Sequence, residues 1–348
     1  MRTVKLGLIG AGICVRDLYW PELQQIKDKF EIVAVAGSGS ERGRKFAETV
    51  GAKEYYIDYH DLLANEEIEA VCIAYPFTMN HEIACAAMAA GKHLMVEKPI
   101  ATCLEDAKDM LQKSRNVETV TLLAENFRYR KMLAKVREMM NGGAIGKPYT
   151  FIWNIIGYTP RSNKYISDST WRLSSHYGLL FDGSVHFISA FRELFGEIKS
   201  AIGFTASSKK DVGTNDTVTY QMVFESGMTG TYHMFQSSYG YSNHDAVIFG
   251  SEGTIKIAGL KDVTVTTPNG EEQFTFDNDE GYMAELLDFY DCIVNGKKPK
   301  GSFDEGYQDF LADVVAFAPM ERWDRLKLAD FTEDDQSSRA SAACNRER

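Results

Sequence analysis

The sequence is short of cysteine patterns, of proline and of long apolar runs. Its six cysteines contain no Cys-x-x-C spacing, which argues against a disulfide framework or a zinc knuckle, so we expect free thiols and no metal site. Only 8 prolines and 25% charged residues exclude a collagen-like or disordered chain. No run approaches the roughly 20 apolar residues of a membrane span, and a predicted strand starts at Thr3 without a signal peptide. We therefore expect a cytoplasmic protein.

Positive charge is also in deficit. The chain has 38 Lys and Arg against 49 Asp and Glu, a net charge of −11, which repels phosphate backbones and anionic lipid surfaces. We expect neither a nucleic-acid partner nor a membrane partner. The length of 348 residues predicts about two domains.

The first third of the chain alternates short apolar runs with helical patterns. Strands are predicted at 3–9, 31–36, 70–74, 93–96 and 120–124, and helices at 13–29, 41–50, 59–65, 81–90 and 104–114. Near-continuous apolar strands separated by helices predict a doubly wound parallel sheet. We assign residues 1–125 to a Rossmann domain that binds a dinucleotide.

The pattern changes after a predicted helix at 129–141. Alternating strands are predicted at 149–156, 199–206, 217–224, 229–236, 246–250 and 253–257, with helices at 185–194, 283–294 and 306–317. The fold class is therefore α/β, with a second domain, 126–330, built on a large open and mainly antiparallel sheet. Residues 333–348 are polar and charged, and we expect them to be disordered.

A glycine-rich turn follows the first predicted strand. Gly10 and Gly12, followed by Ile13, permit close approach of backbone N–H groups to a pyrophosphate. Val15 stands where the third glycine of the pattern is usual. The alternative is a plain strand-to-helix turn, and the β-turn-α context favours the dinucleotide site.

The end of the second strand indicates which nicotinamide cofactor binds. No carboxylate stands where NAD enzymes hold the ribose hydroxyls. Ser38 and Glu41 have the spacing of a capping box, and Arg42 is placed to meet a 2′-phosphate. NADP is slightly favoured, and NAD stays open.

Two further segments carry candidate acid–base groups. The strand at 93–96 ends in Glu97-Lys98-Pro99, which places a cation near the expected nicotinamide, with Glu97 as its expected partner. Asp182 and His186 are four residues apart, so one helix face would let Asp182 orient His186 as a general base. The alternatives are a surface lysine, an N-cap aspartate and a core histidine.

Taken together, these segments resemble the glucose-fructose oxidoreductase, inositol dehydrogenase and MocA-like family of NAD(P)-dependent sugar dehydrogenases. The resemblance covers about residues 3–325 and rests on the following motifs: the Gly10/Gly12 turn, Asn80-His81, 91–93 leading into Glu97-Lys98-Pro99, 125–129, 143–146, Trp171-Arg172 and 178–186. It implies the two domains described above, and homo-oligomers (dimers, tetramers or larger) formed through the C-terminal sheet.

The resemblance also implies the site residues. Lys98, Asp182 and His186 match the family's catalytic positions. The residues expected to bind NAD or NADP are Gly10, Gly12, Ile13, Ser38, Arg42, Tyr75, Asn80, His81, Glu97, Lys98 and Asn126. The residues expected to bind substrate are Lys98, Arg128, Tyr158, Trp171, Arg172, His176, Asp182 and His186.

The expected substrate is a carbohydrate. Aromatic residues between Trp153 and Phe181 suit the packing of sugar faces or aromatic aglycones. We predict oxidation of a secondary hydroxyl of a sugar or glycoside, with C3 and a 3-keto product as the specific hypothesis. The alternatives are a cyclitol dehydrogenase, a non-catalytic regulator that binds cofactor and sugar, and a metal hydrolase using His176, Asp182, His186 and His244.

Overall fold

The computed structural model describes residues 2–167, 170–174, 178–209, 212–317 and 326–327. The predicted tail at 333–348 and the candidate His176 lie outside these residues. Within them, no helix is both long enough and apolar enough to cross a bilayer.

The first sheet has six parallel strands in the order β3-β2-β1-β4-β5-β6. Their bounds are β1 Val4–Ile9, β2 Phe30–Ala36, β3 Glu54–Tyr56, β4 Ala70–Ile73, β5 His93–Glu97 and β6 Thr121–Ala124. The strand order reverses between β1 and β4, and such a point opens a crevice beyond the carboxyl ends of the strands. The predicted parallel sheet is confirmed. The sequence missed β3, which has three residues and no fully buried position.

Helices cover both faces of this sheet, as its apolar strands require. A π-helical segment, Cys14–Tyr19, is followed by α1 Trp20–Leu23, α2 Glu41–Val50, α3 Tyr59–Ala64, α4 Asn80–Ala89 and α5 Leu104–Ser114. The first helical region ends at Leu23 rather than at the predicted residue 29.

The second sheet has nine strands in the order β14-β13-β12-β11-β7-β10-β9-β8-β15. Their bounds are β7 Pro148–Ile156, β8 Ile198–Ala206, β9 Thr217–Phe224, β10 Thr229–Phe235, β11 Asp245–Gly250, β12 Thr254–Ala258, β13 Asp262–Thr267, β14 Gly270–Thr275 and β15 Leu326–Lys327. All neighbouring strands are antiparallel except β7 and β10. The mainly antiparallel sheet is confirmed, while β13 and β14 were not predicted.

Two helices of the second half, Gly178–Phe195 and Phe303–Phe317, pack on this sheet. A 3-10 turn, Asn126–Tyr129, precedes α6 Lys131–Asn141, α7 Lys164–Ser167, α8 Thr170–Ser174, α9 Gly178–Phe195, α10 Tyr282–Asn295 and α11 Phe303–Phe317. On α9, Phe187 and Phe191 contact Trp153 and Tyr232 of the sheet. Because α9 starts at Gly178 rather than at the predicted 185, it carries both Asp182 and His186.

One late helix returns to the first sheet. Leu286, Phe289 and Tyr290 of α10 share a core with residues of β1 and β2, and the Phe289 ring stacks on Phe30 at 6.3 Å between centroids. A segment from the range predicted as the second domain thus completes the core of the first. The boundaries 1–125 and 126–330 stay predictions.

Candidate active site

The glycine turn after β1 has the shape that a dinucleotide needs. Gly10 has a φ of +110°, and a Cβ there would overlap the carbonyl oxygen of Ala74, so only glycine fits. A Cβ on Gly12 would meet no atom within 4 Å, which leaves open space above the backbone. Val15, at the third glycine position, is fully buried. The turn therefore fits a bound pyrophosphate.

The end of β2 differs from the expected capping pattern. Ser40, not Ser38, caps α2, and its hydroxyl accepts from the Gly43 N–H at 3.2 Å. A Cβ on Gly37 would stand 2.8 Å from the Tyr55 hydroxyl, so Tyr55 holds the volume that an acidic side chain at 37 would need. Arg42 lines a surface groove and remains a candidate for the adenosine end.

Lys98 is held by Asp182 at the carboxyl end of β5. The Lys98 Nζ donates to the Asp182 backbone oxygen at 2.6 Å and to its Oδ1 at 2.8 Å, and Arg172 Nε donates to Asp182 Oδ2 at 2.8 Å. Burial lowers the pKa of Lys98, but the charges of Asp182, Glu97 and Glu125 together with the Asp182 hydrogen bond outweigh it, and the pKa ends above its usual value. Lys98 is therefore a cation at neutral pH, and the third of its N–H groups can serve a substrate oxygen.

Asp182 itself stays ionised. Burial would raise its pKa, but Lys98 and Arg172 hold the pKa well below its ordinary value. The guanidinium of Arg172 in turn lies over the Trp171 ring, 4.2 Å from the centroid. Asp182 thus links Lys98, which follows β5, to Arg172 of α8.

His186 is positioned by Glu125, not by Asp182 as the spacing on α9 suggested. Its Nδ1 lies 2.7 Å from Glu125 Oε1, and its ring stacks on Phe127 at 4.8 Å between centroids. The two oxygens of Asp182 are bound by Lys98 and Arg172 instead. Burial holds the pKa of His186 below its ordinary value, against the raising effect of Glu125. The ring is therefore neutral at neutral pH, and with Nδ1–H donating to Glu125 its Nε2 can accept a proton.

Glu97 was expected to pair with Lys98, but its carboxylate binds Tyr19 instead. Its Oε1 accepts from the Tyr19 hydroxyl at 2.7 Å, and the same hydroxyl lies 3.4 Å from Glu285 Oε2. Burial raises the pKa of Glu97 to about 7 and that of Glu285 well above its usual value. Glu97, which lines the cavity, and the buried Glu285 thus share the Tyr19 hydroxyl.

One cavity of about 290 Å³ brings the three catalytic candidates together. It is lined by the predicted residues Tyr75, Glu97, Lys98, Asn126, Trp171, Arg172, Asp182 and His186. Lys98 comes from the first sheet and His186 from α9, so the cavity lies between the two halves of the chain. Of the aromatic candidates, Tyr165 and Trp171 line it, whereas Trp153 and Phe181 are buried in the core.

Three other predicted residues point elsewhere. Arg128 is buried and forms ion pairs with Asp309 of α11 at 2.8 Å and with Glu193 of α9 at 3.0 Å. Its charge is therefore used within the core and not in the cavity. His81 contacts Asp109 of α5 at 2.7 Å. Tyr158 is exposed and accepts from Lys209 Nζ at 2.6 Å. None of the three lines the cavity.

Asn80 lies beside the site rather than in it. Its side-chain amide donates to the backbone oxygens of Glu97 at 2.5 Å and Pro99 at 2.8 Å, on either side of Lys98, and the Lys98–Pro99 bond is cis.

The structure adds residues that the sequence reasoning left without a role. Glu125 follows β6, and the argument that placed Lys98 at the end of β5 applies to it equally. Thr159, Gln236 and Tyr282 also line the cavity. These three come from a loop, the end of a strand and the first residue of α10, with no local motif, so no sequence signal identified them. Within the described residues, Gln236 Oε1 is buried with no hydrogen-bond partner.

The donor set does not suit the metal-hydrolase alternative. Both carboxylate oxygens of Asp182 are engaged by cations, and His186 Nδ1 is engaged by Glu125. His244 is absent from the cavity lining within the described part of the chain.

Two protein-family descriptions match the chain. Residues 4–124 match the oxidoreductase family with an NAD-binding Rossmann fold. Residues 133–256 match the GFO/IDH/MocA C-terminal domain.

Similar proteins align over nearly the whole length. Myo-inositol 2-dehydrogenase of Thermotoga maritima is 25% identical over 94% of this chain and 99% of its own. Levoglucosan dehydrogenase of Pseudarthrobacter phenanthrenivorans is 26% identical over 93% of this chain and 98% of its own. The crystal structure of an oxidoreductase from Thermotoga maritima superposes with a TM-score of 0.87 at 28% identity, covering 94% of this chain and 99% of that one.

Proposed function

The chain belongs to the GFO/IDH/MocA family of NAD-binding oxidoreductases, and from that premise we propose that it oxidises a secondary hydroxyl of a sugar or glycoside. C3 is the proposed carbon, giving a 3-keto product. The observation that carries the proposal is the meeting of Lys98 and His186 in one cavity beside the dinucleotide turn. The named relatives act on inositol and levoglucosan, which are both polyhydroxylated rings.

The residues present fit a nicotinamide cofactor. Gly10, Gly12 and Ile13 would hold the pyrophosphate, Arg42 in its surface groove would face the adenosine ribose, and Tyr75 and Asn126 would face the nicotinamide end. When bound, the cofactor supplies the hydride acceptor for the carbinol carbon.

Two side chains handle the substrate oxygen. His186 Nε2 takes the hydroxyl proton, and Glu125 steadies the positive charge that develops on the ring. Lys98 donates a hydrogen bond to the same oxygen and stabilises the negative charge that grows there. Asp182 keeps Lys98 protonated and in place, so it is a positioning residue here rather than the partner of His186.

The rest of the cavity suits a polyhydroxylated ring. Trp171 and Tyr165 offer aromatic faces for the C–H side of a sugar. Gln236 brings an unpartnered, buried Oε1 to the lining, and a buried acceptor of this kind gains a hydrogen bond when a hydroxyl reaches it.

The test is a substrate panel of monosaccharides, glycosides, anhydrosugars and inositols, each with NAD⁺ and NADP⁺, followed by the absorbance of the reduced nicotinamide. Products should have lost two hydrogens by mass spectrometry, and a substrate deuterated at C3 should transfer its label to the cofactor. Label retained in the product would refute C3.

A cyclitol dehydrogenase would oxidise only the inositols of the panel. A non-catalytic regulator would bind cofactor and sugar in calorimetry without turning over any member. The set of Lys98, Glu125 and His186 argues against that second candidate, because binding alone needs no acid–base pair.

A further inference from the structure

We propose that His81, Cys85 and Asp109 form a zinc-binding site that links α4 to α5, on the outer side of the first domain. The three residues bring an imidazole, a thiol and a carboxylate together away from the catalytic cavity. His81 and Cys85 are four residues apart on α4, so they share one face of that helix, and Asp109 on α5 faces them.

The three ligand atoms lie close enough together to converge on one ion. His81 Nε2 lies 2.7 Å from Asp109 Oδ2, Cys85 Sγ lies 3.7 Å from the same oxygen, and all three ligand atoms lie within 4.8 Å of one another. Zn²⁺ binds at about 2.0–2.3 Å from such atoms, which sets neighbouring ligands roughly 3.3–3.7 Å apart in a tetrahedron. Small side-chain rotations on two fixed helices are enough to reach that geometry.

The surroundings support a zinc–histidine arrangement. With Nε2 turned toward Asp109, the other ring nitrogen, Nδ1, faces Asp106 Oδ1 at 3.8 Å. A carboxylate behind a metal-binding imidazole fixes its orientation and raises its basicity. The mixture of nitrogen, sulfur and oxygen ligands favours zinc over Mg²⁺ or Ca²⁺, which prefer oxygen. Water would fill the fourth position, since the His81 side chain is 29% exposed.

A cation already approaches this group from the protein itself. Lys113 Nζ lies 2.5 Å from Asp109 Oδ2 and 3.5 Å from Cys85 Sγ. Its side chain is 49% exposed, so the ammonium can turn into solvent when a metal arrives. Lys113 therefore acts as a competitor that weakens zinc binding without being a ligand.

The site ties together two helices that pack side by side over the sheet. The first residue of α4, Asn80, binds the backbone on both sides of Lys98. A zinc ion at the other face of α4 would hold this helix against α5 and favour the folded state by mass action.

The experiment is a zinc titration of the intact, reduced protein against a chromophoric chelator, with Co²⁺ as a spectroscopic probe. We expect one zinc per chain, and a thiolate-to-cobalt charge-transfer band in the near ultraviolet. Cys85→Ser should abolish that band, and both Cys85→Ser and His81→Ala should weaken zinc binding by about 10-fold or more. Lys113→Met should tighten binding, because it removes the competing ammonium.

His60→Ala is the matched control. His60 also contacts a carboxylate, Asp58, at 2.8 Å, but belongs to no group of three metal-ligating side chains within the described residues, and its loss should leave the titration unchanged. Equal zinc affinity in the wild type and Cys85→Ser would overturn the proposal. Binding seen only in Lys113→Met would also overturn it, since the lysine would then be the resident cation. None of these readouts needs turnover, so failure here is distinct from failure of the proposed dehydrogenase.

Discussion

Replacing Glu125 by glutamine tests whether it is the partner that makes His186 a base. The Glu125 side chain is buried, and its Oε1 lies 2.7 Å from His186 Nδ1. Glutamine keeps the size and an acceptor oxygen for the Nδ1–H, and removes the negative charge. The change therefore isolates the electrostatic effect on a ring that becomes positive as it takes the substrate proton.

The magnitude follows from Coulomb's law. Opposite unit charges centred roughly 4 Å apart attract by about 4 kcal/mol at an effective dielectric constant of about 20. If about half a proton charge has reached the ring in the transition state, about 2 kcal/mol is lost, which lowers kcat by about 30-fold.

The pH dependence gives a second, signed readout. Glu125 raises the pKa of His186, although burial keeps that pKa below its usual value. Because the base must be neutral, kcat/KM falls as the pH drops through this pKa. Removing the carboxylate lowers the pKa further, so the acidic limb of the profile should move to lower pH.

The assay is steady-state kinetics across pH for the wild type, Glu125→Gln and the exposed control Glu118→Gln, with cofactor affinity measured by fluorescence. Cofactor affinity should be unchanged in all three proteins. An unchanged kcat in Glu125→Gln, or an acidic limb that moves to higher pH, would refute the assignment of Glu125 to His186.

Further substitutions test the remaining parts of the site. Gly12→Val should leave the melting temperature close to wild type, because a Cβ at residue 12 meets only open space. It should weaken NAD binding by at least about 10-fold in calorimetry, because the new side chain fills the space that the pyrophosphate needs; loss of the fold would contradict this. Gly10→Ala should instead destabilise the protein by about 2 kcal/mol or more in urea unfolding, since it combines a left-handed φ with a clash. Arg128→Met should cost about 3 kcal/mol of unfolding free energy, because it breaks a buried ion pair with Asp309, and a stable variant would count against a structural role. Arg42→Ala should lower the preference for NADP relative to NAD, and an unchanged ratio would remove Arg42 from cofactor recognition.

The sequence predicted well where local pattern and fold coincide. Apolar strands, glycine turns and helix periodicity gave the parallel sheet, and period-2 alternation gave the larger sheet, because backbone geometry repeats within a few residues. Short or exposed strands such as β3 and β14 were missed because they carry no clear burial pattern.

The candidate site was predictable in composition but not in pairing. Lys98, Asp182 and His186 do meet in one cavity. Spacing along α9 suggested that Asp182 serves His186, yet β5 brings Lys98 to Asp182 and β6 brings Glu125 to His186. Partners contributed by separate strands leave no mark in the spacing along one helix.

By itself, then, the sequence determined the fold class, the glycine turn and the residue types that can grip a carbinol oxygen, since these depend on short-range backbone and side-chain chemistry. Only the tertiary structure decided which charged side chains form pairs, such as Lys98 with Asp182 and Glu125 with His186. It buried Arg128 in an ion-pair network, brought Asp109 of α5 to His81 of α4, and returned α10 to the first core. Each of these contacts joins segments far apart in the chain, and only packing in three dimensions sets the distance between them.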